Sequence, residues 1–284
     1  MSERLRVLES VGLLSFLTDR LHGWARNKIK QRLRLGCVTV NGQFVSRHDF
    51  LLKVGDDVEV RAVATRPTSE LSHLEVLYSD RELIAVNKPA GLLSVGTPTE
   101  KKQHALSILR SQVSRPRRPV KLWPVHRLDR ETSGVLLFAT SLEIREAIMA
   151  LWSEAEKTYL AVVEGHPNPS HGTIDQPLHM DNNEYRMHVG PHPEAKRAVT
   201  HFETESAGEG QTLLNLKLET GRQHQIRAHL AWLGHPVIGD TRYGNGGPRL
   251  GLHALRLSIK RPRTSKRLTF ETVPPDDFLD LLQY

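Results

Sequence analysis

The stretch HRLDRETSG (residues 126–134) concentrates ionisable side chains immediately before an apolar run, VLLFAT. Its first carboxylate, Asp129, lies between Arg127 and Arg130. A carboxylate beside guanidinium groups is favoured in its ionised form, which can act as a nucleophile or as a general base. A structural ion pair on a surface loop would produce the same pattern. The stretch therefore predicts either an active-site aspartate or a salt-bridged loop.

A second group of cations lies in GRQHQIRAH, where helical spacing predicts a helix over 222–234. Arg222 is placed in its first turn and Arg227 lies five residues further on. Backbone N–H groups at a helix start attract anions, so this end suits a carboxylate or a phosphate. The nearby histidines lack the i, i+4 spacing of a ligand pair: His224, His229 and His235. No metal site is predicted here.

Lys157 and Tyr159 stand two residues apart in KTYLAVVEG, a predicted strand, and so are expected on one face of it. A cation beside an aromatic ring is suited to stacking on a nucleic-acid base. A core tyrosine is the alternative interpretation. The segments NKPAGLL and GDTRYG are ordinary loops when each is considered alone.

Composition describes a basic globular protein. The chain has 284 residues, a formal net charge of +7 and a pI of about 9.6, which suits a polyanionic partner such as nucleic acid. The single cysteine, Cys37, excludes an internal disulfide and favours a reducing, cytoplasmic setting. The first residues do not have the pattern of a signal peptide, and no apolar run approaches the roughly 18 residues of a membrane span.

Residues 1–63 are predicted to form a separate module with helices over 13–21 and 25–35. After these, CVTVNGQFV predicts a hairpin turning at Asn-Gly, and LLKVGDDVEVR predicts a further turn and strand. The second helix is basic, with no acid between Arg20 and Arg34. Successive cations along a helix can contact successive phosphates, although a solvated charged face is the alternative. The predicted RNA contacts of this helix are Arg26, Lys28, Lys30, Arg32 and Arg34.

Residues 64–72 are predicted to be a linker and 73–284 a second domain. Strand patterns outnumber helical ones and show no regular βαβ period, which favours an α+β fold with a mixed, largely antiparallel sheet. The clearest helix is predicted over 141–155, with Ser141 as its N-cap.

These blocks together resemble the RluA-type RNA pseudouridine synthases. The resemblance covers roughly 73–273 and rests on HRLDRETSGVLLFA, KTYLAVVEG and GRQHQIRAHLAWLGHPVIGDTRYG, with NKPAGLL and LHALRLSI in family order. The N-terminal module is similar to the alpha-L RNA-binding domain first known from a ribosomal protein. Here FLTDRL stands where that domain opens on arginine, leucine and aspartate.

The resemblance implies that a uridine in folded RNA is isomerised to pseudouridine without a cofactor or metal. Asp129 matches the essential aspartate, Tyr159 would stack on the uracil, and Arg222 would pair with Asp129. Arg127 would fill the position of the flipped base, with Arg130 nearer the phosphates. Two further RNA contacts are expected from this site: His126, for which packing is the alternative, and Lys157.

Ribosomal RNA is the favoured substrate, because a separate RNA-binding module suits a large structured RNA, and transfer RNA is the alternative. A catalytically silent RNA-binding or ribosome-assembly protein would be expected to lack one of the three predicted catalytic residues. A DNA-binding regulator is disfavoured because the sequence has no helix-turn-helix pattern. The expected protein is a cytoplasmic monomer that binds RNA and no membrane.

Overall fold

In the computed structural model, the described residues are 2–21, 24, 26, 29–30, 33, 38–45, 49–61, 71–115, 119–247, 249–262, 264 and 266–282. The chain divides into two compact units, Met1–Glu70 and Leu71–Tyr284. The division falls inside the segment predicted to be a linker, of which residues 64–70 lie outside the described part of the chain. No helix among the described residues is long and apolar enough to cross a membrane.

The first unit is built from short strands and helical segments around one apolar core. Its four-stranded antiparallel sheet has the order β1-β6-β3-β4, and β2 pairs with β5. The elements are β1 (Ser2–Arg6), β2 (Val11–Gly12), α1 (Leu13–Arg20), β3 (Val38–Val40), β4 (Gln43–Phe44), β5 (Leu51–Leu52) and β6 (Asp57–Arg61). Leu13, Leu17, Ile29 and Leu33 are completely or almost completely buried in its core.

The predicted hairpin at Asn41-Gly42 is confirmed by β3 and β4. Both turn residues have a left-handed backbone, with φ of 52° and 81°, as a two-residue hairpin turn requires. The first predicted helix is confirmed as α1. Of the second, Arg26, Ile29, Lys30 and Leu33 are described and are helical. The predicted contacts Lys28, Arg32 and Arg34 lie outside the described residues.

The second unit is organised around a ten-stranded sheet, and this confirms the predicted α+β class. Its main path runs β12-β15-β16-β11-β17-β10-β8-β7, with β18 paired to β17 and β9 to β10. The strands are β7 (Glu75–Ser79), β8 (Leu83–Lys88), β9 (Trp123–Pro124), β10 (Ser133–Ala139), β11 (Glu156–Glu164), β12 (His171–Asp175), β15 (Val199–Ala207), β16 (Gln211–Leu218), β17 (Leu252–Lys260) and β18 (Arg267–Glu271). A separate hairpin is formed by β13 (Leu178–Asp181) and β14 (Arg186–Val189).

The helices of this unit are short: α2 (Ala105–Val113), α3 (Leu142–Ala150), α4 (Gln225–Trp232) and α5 (Asp276–Leu279). Ser141 caps α3 as predicted, since its hydroxyl accepts a hydrogen bond from the N–H of Ile144 at 3.2 Å. Single-turn 3-10 segments follow α3 at Trp152–Glu154 and α5 at Asp280–Leu282.

The predicted mixture of strand directions arises where β10 meets β17. These strands run parallel at Ser133–His253 and Gly134–Ala254, whereas the other strand pairs of the described chain are antiparallel. Gly134 has a left-handed φ of 116°, and a Cβ there would collide with the backbone of Ala254. Glycine therefore permits the close approach that fixes the start of β10, directly after the Asp129 loop.

Candidate active site

The loop that carries Asp129 is hydrogen-bonded to buried side chains on both sides of this residue. On one side, the Ser94 hydroxyl donates to the carbonyl of Leu128 at 2.7 Å and accepts from its N–H at 2.9 Å. On the other side, the buried Lys88 ammonium donates to the carbonyl of Arg130 at 3.0 Å. The Asp129 side chain remains 25% exposed. The fold thus holds the backbone on both sides of a carboxylate that solvent and a ligand can reach.

The arginine that pairs with this carboxylate is Arg227 on α4, and the predicted pairing with Arg222 is wrong. Arg227 donates from Nη1 to Oδ2 of Asp129 at 3.0 Å. It also donates from Nε and Nη2 to both oxygens of Asp240, at 2.7 and 2.8 Å. One guanidinium therefore bridges a fully buried aspartate and a partly exposed one.

The charges of this bridge are held by their mutual contacts. Burial alone would lower the pKa of Arg227, but the hydrogen bonds and charge of Asp240, with those of Asp129, raise it above its usual value. Burial likewise opposes ionisation of Asp240, but Arg227 and the N–H groups of Arg242 and Tyr243 hold its pKa below the usual range. Arg227 is consequently a permanent cation beside Asp129.

Arg222 precedes the helix instead of lying in its first turn, because α4 begins at Gln225. Its Nε donates to the carbonyl of Arg197 at 3.0 Å, and its side chain is exposed. The sequence did contain a signal for Arg227. On the helix predicted over 222–234 it shares a face with the apolar residues three and four positions later, Leu230 and Ala231. A charge on a buried helix face needs a carboxylate partner, and the segment GDTRYG supplies Asp240.

Tyr159 lies beside Asp129 in a small cleft of about 100 Å³. Residues from four separate segments line this cleft, among them Arg127, Asp129, Tyr159, Arg222, His224, Arg227 and Leu252. The Tyr159 ring packs on two core clusters. Burial first, and the charge of Asp129 second, raise the pKa of Tyr159 far above its usual value. The phenol therefore stays protonated near neutral pH and offers an uncharged aromatic surface.

Lys157 and Tyr159 do not form the predicted pair of a cation and an aromatic ring that could stack on a base. The register of β11 against β17 shifts between Thr158 and Leu160. The Lys157 ammonium lies 5.6 Å from the centre of the Trp152 ring, and the residue is only 8% exposed. Burial lowers the pKa of Lys157. The side chain is used in packing, and this argues against its predicted RNA contact.

His126 is also used inside the fold. Its Nε2 accepts a hydrogen bond from the N–H of Leu137 at 3.2 Å, and its ring stacks on Trp152 at 5.4 Å. Burial, and then the nearby Lys157, lower the pKa of His126 to about 4. Of the two alternatives for this residue, the contacts favour packing over RNA binding.

The remaining predicted cations reach solvent where they are described. Arg127 and Arg130 are exposed on either side of Asp129, and Arg127 forms part of the cleft rim. In the first unit Arg26 is exposed and Lys30 is half-buried. Exposed guanidinium and ammonium groups are available for phosphate contacts.

One group of described residues has metal-ligand geometry, and it does not include the cleft. Asp181, Glu184 and His188 bring ligand atoms within 4.8 Å of one another on the β13–β14 hairpin. Asp129 has arginine as its partner, and a cation in that position suits a carboxylate that reacts directly with a substrate. The expectation that the reaction needs no metal stays a prediction.

The cleft thus combines a carboxylate fixed by an arginine, a neutral aromatic ring beside it, and an exposed arginine at the rim. This set can hold a flat, uncharged ring against Tyr159 while the carboxylate attacks or deprotonates an attached group. Oδ2 of Asp129 is occupied by Arg227, and the carboxylate stays accessible from solvent.

Comparison with known proteins identifies the family. Residues 82–232 match the RNA pseudouridylate synthase family. The tRNA pseudouridine synthase C of Haemophilus ducreyi is 35% identical over 226 residues, covering 70% of this chain and 90% of that protein. The ribosomal large subunit pseudouridine synthase D of Vibrio cholerae is 28% identical over 280 residues, covering 91% of this chain and 86% of that protein.

The fold agrees with this match. The solved structure of human RNA pseudouridylate synthase domain containing 4 has a TM-score of 0.61 to this chain at 26% identity. The alignment covers 74% of this chain and 92% of the human one. The protein therefore belongs to the RluA-type RNA pseudouridine synthase family, whose members are isomerases acting on RNA.

Proposed function

We propose that this protein converts uridine to pseudouridine in ribosomal RNA, with Asp129 as the residue that reacts with the ribose. The observation that carries the proposal is the chain of contacts from Asp240 through Arg227 to Asp129, which ends in the cleft beside Tyr159. The reaction breaks the bond between N1 of uracil and C1′ of ribose, turns the base, and joins C5 to C1′. N1 gains a proton and C5 loses one, so no oxidant or energy source is needed.

Asp129 starts this reaction in one of two ways: it attacks C1′ as a nucleophile or removes the 2′ proton as a base. Both need a deprotonated oxygen directed at the sugar. Tyr159 stacks on the uracil and limits where the released base can turn. Arg127, exposed at the rim, fills the position that the flipped uridine leaves, and Arg130 contacts phosphates.

The choice of ribosomal over transfer RNA is supported by which parts of the chain the relatives share. The second unit makes up about three quarters of the chain. The alignment to the ribosomal enzyme covers 91% and must therefore extend into the first unit, whereas the 70% shared with the transfer RNA enzyme need not. Transfer RNA is the alternative substrate. A monomeric, cytoplasmic enzyme is part of the proposal.

The proposal is tested by tritium release from RNA labelled at C5 of uridine. Wild-type protein and Asp129→Asn are compared on separate ribosomal and transfer RNA pools. Release by wild type from ribosomal RNA, and its loss in the variant at unchanged RNA affinity, is expected. Release from transfer RNA alone would overturn the substrate, and turnover by Asp129→Asn at the wild-type rate would overturn the mechanism.

The first unit is proposed to be an alpha-L-type RNA-binding domain that adds affinity through phosphates. Replacing Arg26 and Lys30 with glutamine should reduce the slope of log affinity against log salt by roughly one unit for each phosphate that is no longer neutralised. The matched control is Arg4→Gln on β1 of the same unit, whose cation lies 3.9 Å from Glu59. A slope in the double variant equal to that of wild type would show that Arg26 and Lys30 do not neutralise RNA phosphates.

A further inference from the structure

His224 lies between Asp129 and Tyr243. Its Nε2 is 3.7 Å from Oδ2 of Asp129, and its Nδ1 is 3.0 Å from the Tyr243 hydroxyl. The imidazole is largely buried, with 11% of its side chain exposed. It therefore connects the reactive carboxylate to a residue of the GDTRYG segment.

The backbone of His224 is strained in a way that places this ring. His224 is the residue before α4 and has a left-handed φ of 50°, which a non-glycine residue adopts at a cost. Within the described chain this conformation is shared by only two other non-glycine residues, Asn41 and Tyr185. A strained residue at a cleft is the kind of observation from which a functional role can be inferred.

The hydrogen bonds around Tyr243 decide which nitrogen of His224 carries the proton. The Tyr243 oxygen accepts a hydrogen bond from the N–H of Met187 at 2.8 Å. Among the described residues, Nδ1 of His224 is the one acceptor within reach of the Tyr243 O–H, and we therefore assign the O–H as the donor and Nδ1 as the acceptor. Because Nδ1 is an acceptor, the proton of the neutral imidazole is on Nε2, the nitrogen that faces Asp129.

The imidazole is neutral in this setting. Burial first, and the cations Arg227 and Arg242 further, lower the pKa of His224, against an opposing contribution from Asp129. A neutral ring with its proton on Nε2 is a hydrogen-bond donor to the carboxylate. The present separation of 3.7 Å is longer than a hydrogen bond, and such contacts shorten when a substrate closes the site.

We propose that His224 is a positioning residue that, together with Arg227, holds Oδ2 of Asp129 and so assigns the reaction with ribose to Oδ1. Arg227 already donates to Oδ2, and the nearest nitrogen of His224 faces the same oxygen. Among the described residues, no hydrogen bond is made to Oδ1. A carboxylate held at one oxygen by two donors from this segment can rotate only within narrow limits, which leaves Oδ1 as the oxygen that reacts.

Tyr243 contributes to the positioning of Asp129 as well, because its hydrogen bond selects the tautomer of His224. Without its O–H, Nδ1 has no donor to accept from, and the proton can move to Nδ1, which leaves Nε2 as an acceptor facing a carboxylate. That arrangement repels Asp129. The Met187 N–H that orients Tyr243 comes from β14, so the β13–β14 hairpin is linked through Tyr243 to the orientation of Asp129.

The test is single-turnover pseudouridine formation on saturating RNA, with RNA affinity measured separately, for His224→Ala, His224→Gln and Tyr243→Phe. Glutamine keeps an N–H donor at the distance of Nε2, and phenylalanine keeps the ring. Loss of one hydrogen bond to a charged group predicts a rate about 10- to 100-fold lower for His224→Ala and Tyr243→Phe, at affinity within about twofold of wild type. His224→Gln should return to within about fivefold of wild type.

The matched control is His229→Gln on the following helix. His229 is completely buried and bonds Thr200 and the carbonyl of Gln176, away from Asp129. It should melt at a lower temperature and keep its single-turnover rate. A His224→Ala rate near wild type, or a His224→Gln rate as low as that of His224→Ala, would overturn the inference.

This inference rests on the proposed function, and the same assay separates the two. If wild type forms pseudouridine and Asp129→Asn does not, the His224 and Tyr243 variants decide the inference alone. If wild type forms none on any RNA pool, the proposed function fails and the inference fails with it. Should His224→Ala not fold, the rates of His224→Gln and Tyr243→Phe decide it.

Discussion

Arg227 serves two carboxylates of very different exposure. Asp240 is fully buried and accepts hydrogen bonds from both Nε and Nη2 of the guanidinium, so it fixes the orientation of Arg227. Asp129 accepts from Nη1, which faces the cleft. An arginine that must satisfy a buried partner cannot follow Asp129 if that loop moves. The position of the Asp129 carboxylate is therefore determined from inside the protein, before any RNA binds.

This arrangement predicts opposite outcomes for two arginines of the same segment. Arg227→Lys should lower single-turnover pseudouridine formation about 100-fold or more, because an ammonium cannot bridge both aspartates with the guanidinium geometry. Arg222→Lys, the matched control, should stay within about fivefold, because its contact is with a backbone carbonyl at the surface. Equal losses for the two variants would restore the assignment made from the sequence.

The residues of the site were predictable where local sequence is sufficient, and they were not predictable where their partners are distant in sequence. The sequence identified Asp129 and Tyr159, and both lie in the cleft. The pairing of Arg222 with the carboxylate was implied by the family resemblance, and the sequence predicted a helix whose first turn held Arg222. The true start at Gln225 directs Arg227 inward, and its partner Asp129 is 98 positions away. Sequence spacing carries no information about which of two arginines crosses that distance.

At the scale of the elements, the loop before β10 depends on a lysine with no apparent surface role. Lys88 is completely buried at the end of β8 and donates to the carbonyls of Pro89, Leu92 and Arg130. Burial lowers its pKa to about 7, and the carboxylates of Glu131 and Asp129 oppose this. Three carbonyl acceptors match the three N–H donors of an ammonium.

Lys88→Met should therefore destabilise the second unit. Three buried carbonyls would lose their donor, at a cost of about 3 kcal/mol or more, which corresponds to a melting temperature lower by roughly 6–12 °C. Lys157→Met is the control: that ammonium is also buried but lies over Trp152, so its melting temperature should be equal or higher. Calorimetry of both variants measures this, and a larger loss for Lys157→Met would contradict it.

Elements with strong local signals were the ones predicted. The Asn41-Gly42 hairpin and the Ser141 cap were correct because turn and cap chemistry act within four residues. Strands β12 to β15 were missed. Apolar and polar residues do not alternate regularly along these strands, which are partly exposed and pair with one another. Their strand structure comes from pairing and not from local pattern.

At the scale of the whole molecule, stability is expected to depend on pH through buried histidines. His253 on β17 is completely buried, and its Nδ1 accepts from the Ser133 hydroxyl, which itself accepts from Arg249 at 2.8 Å. Burial, and then Arg249, lower the pKa of His253 to about 4, against an opposing hydrogen bond to the carbonyl of Thr272. The folded state therefore keeps this imidazole neutral where the unfolded chain protonates it.

The sign of the effect follows from proton binding. Between about pH 6.5 and about pH 4 the unfolded chain binds the additional proton, so the free energy of unfolding falls as the pH falls, by up to about 3 kcal/mol. His253→Gln, which does not titrate, should flatten this dependence. Urea titrations of both proteins between about pH 7 and about pH 4.5 measure it. An unchanged slope in the variant would contradict the prediction.

The single parallel contact of the described sheet, between β10 and β17, also sets the order in which the site can be assembled. The main path of the sheet places β17 between β10 and β11, so β7, β8 and β10 are joined to β11, β16, β15 and β12 only through a strand near the end of the chain. Asp129 precedes β10, whereas Tyr159 lies on β11 and Arg227 follows β16. A nascent chain that has been synthesised only as far as α4 therefore contains both halves of the cleft, but β17 has not yet joined them. Pseudouridine formation should therefore begin only once Leu252–Lys260 has been synthesised and has inserted between β10 and β11.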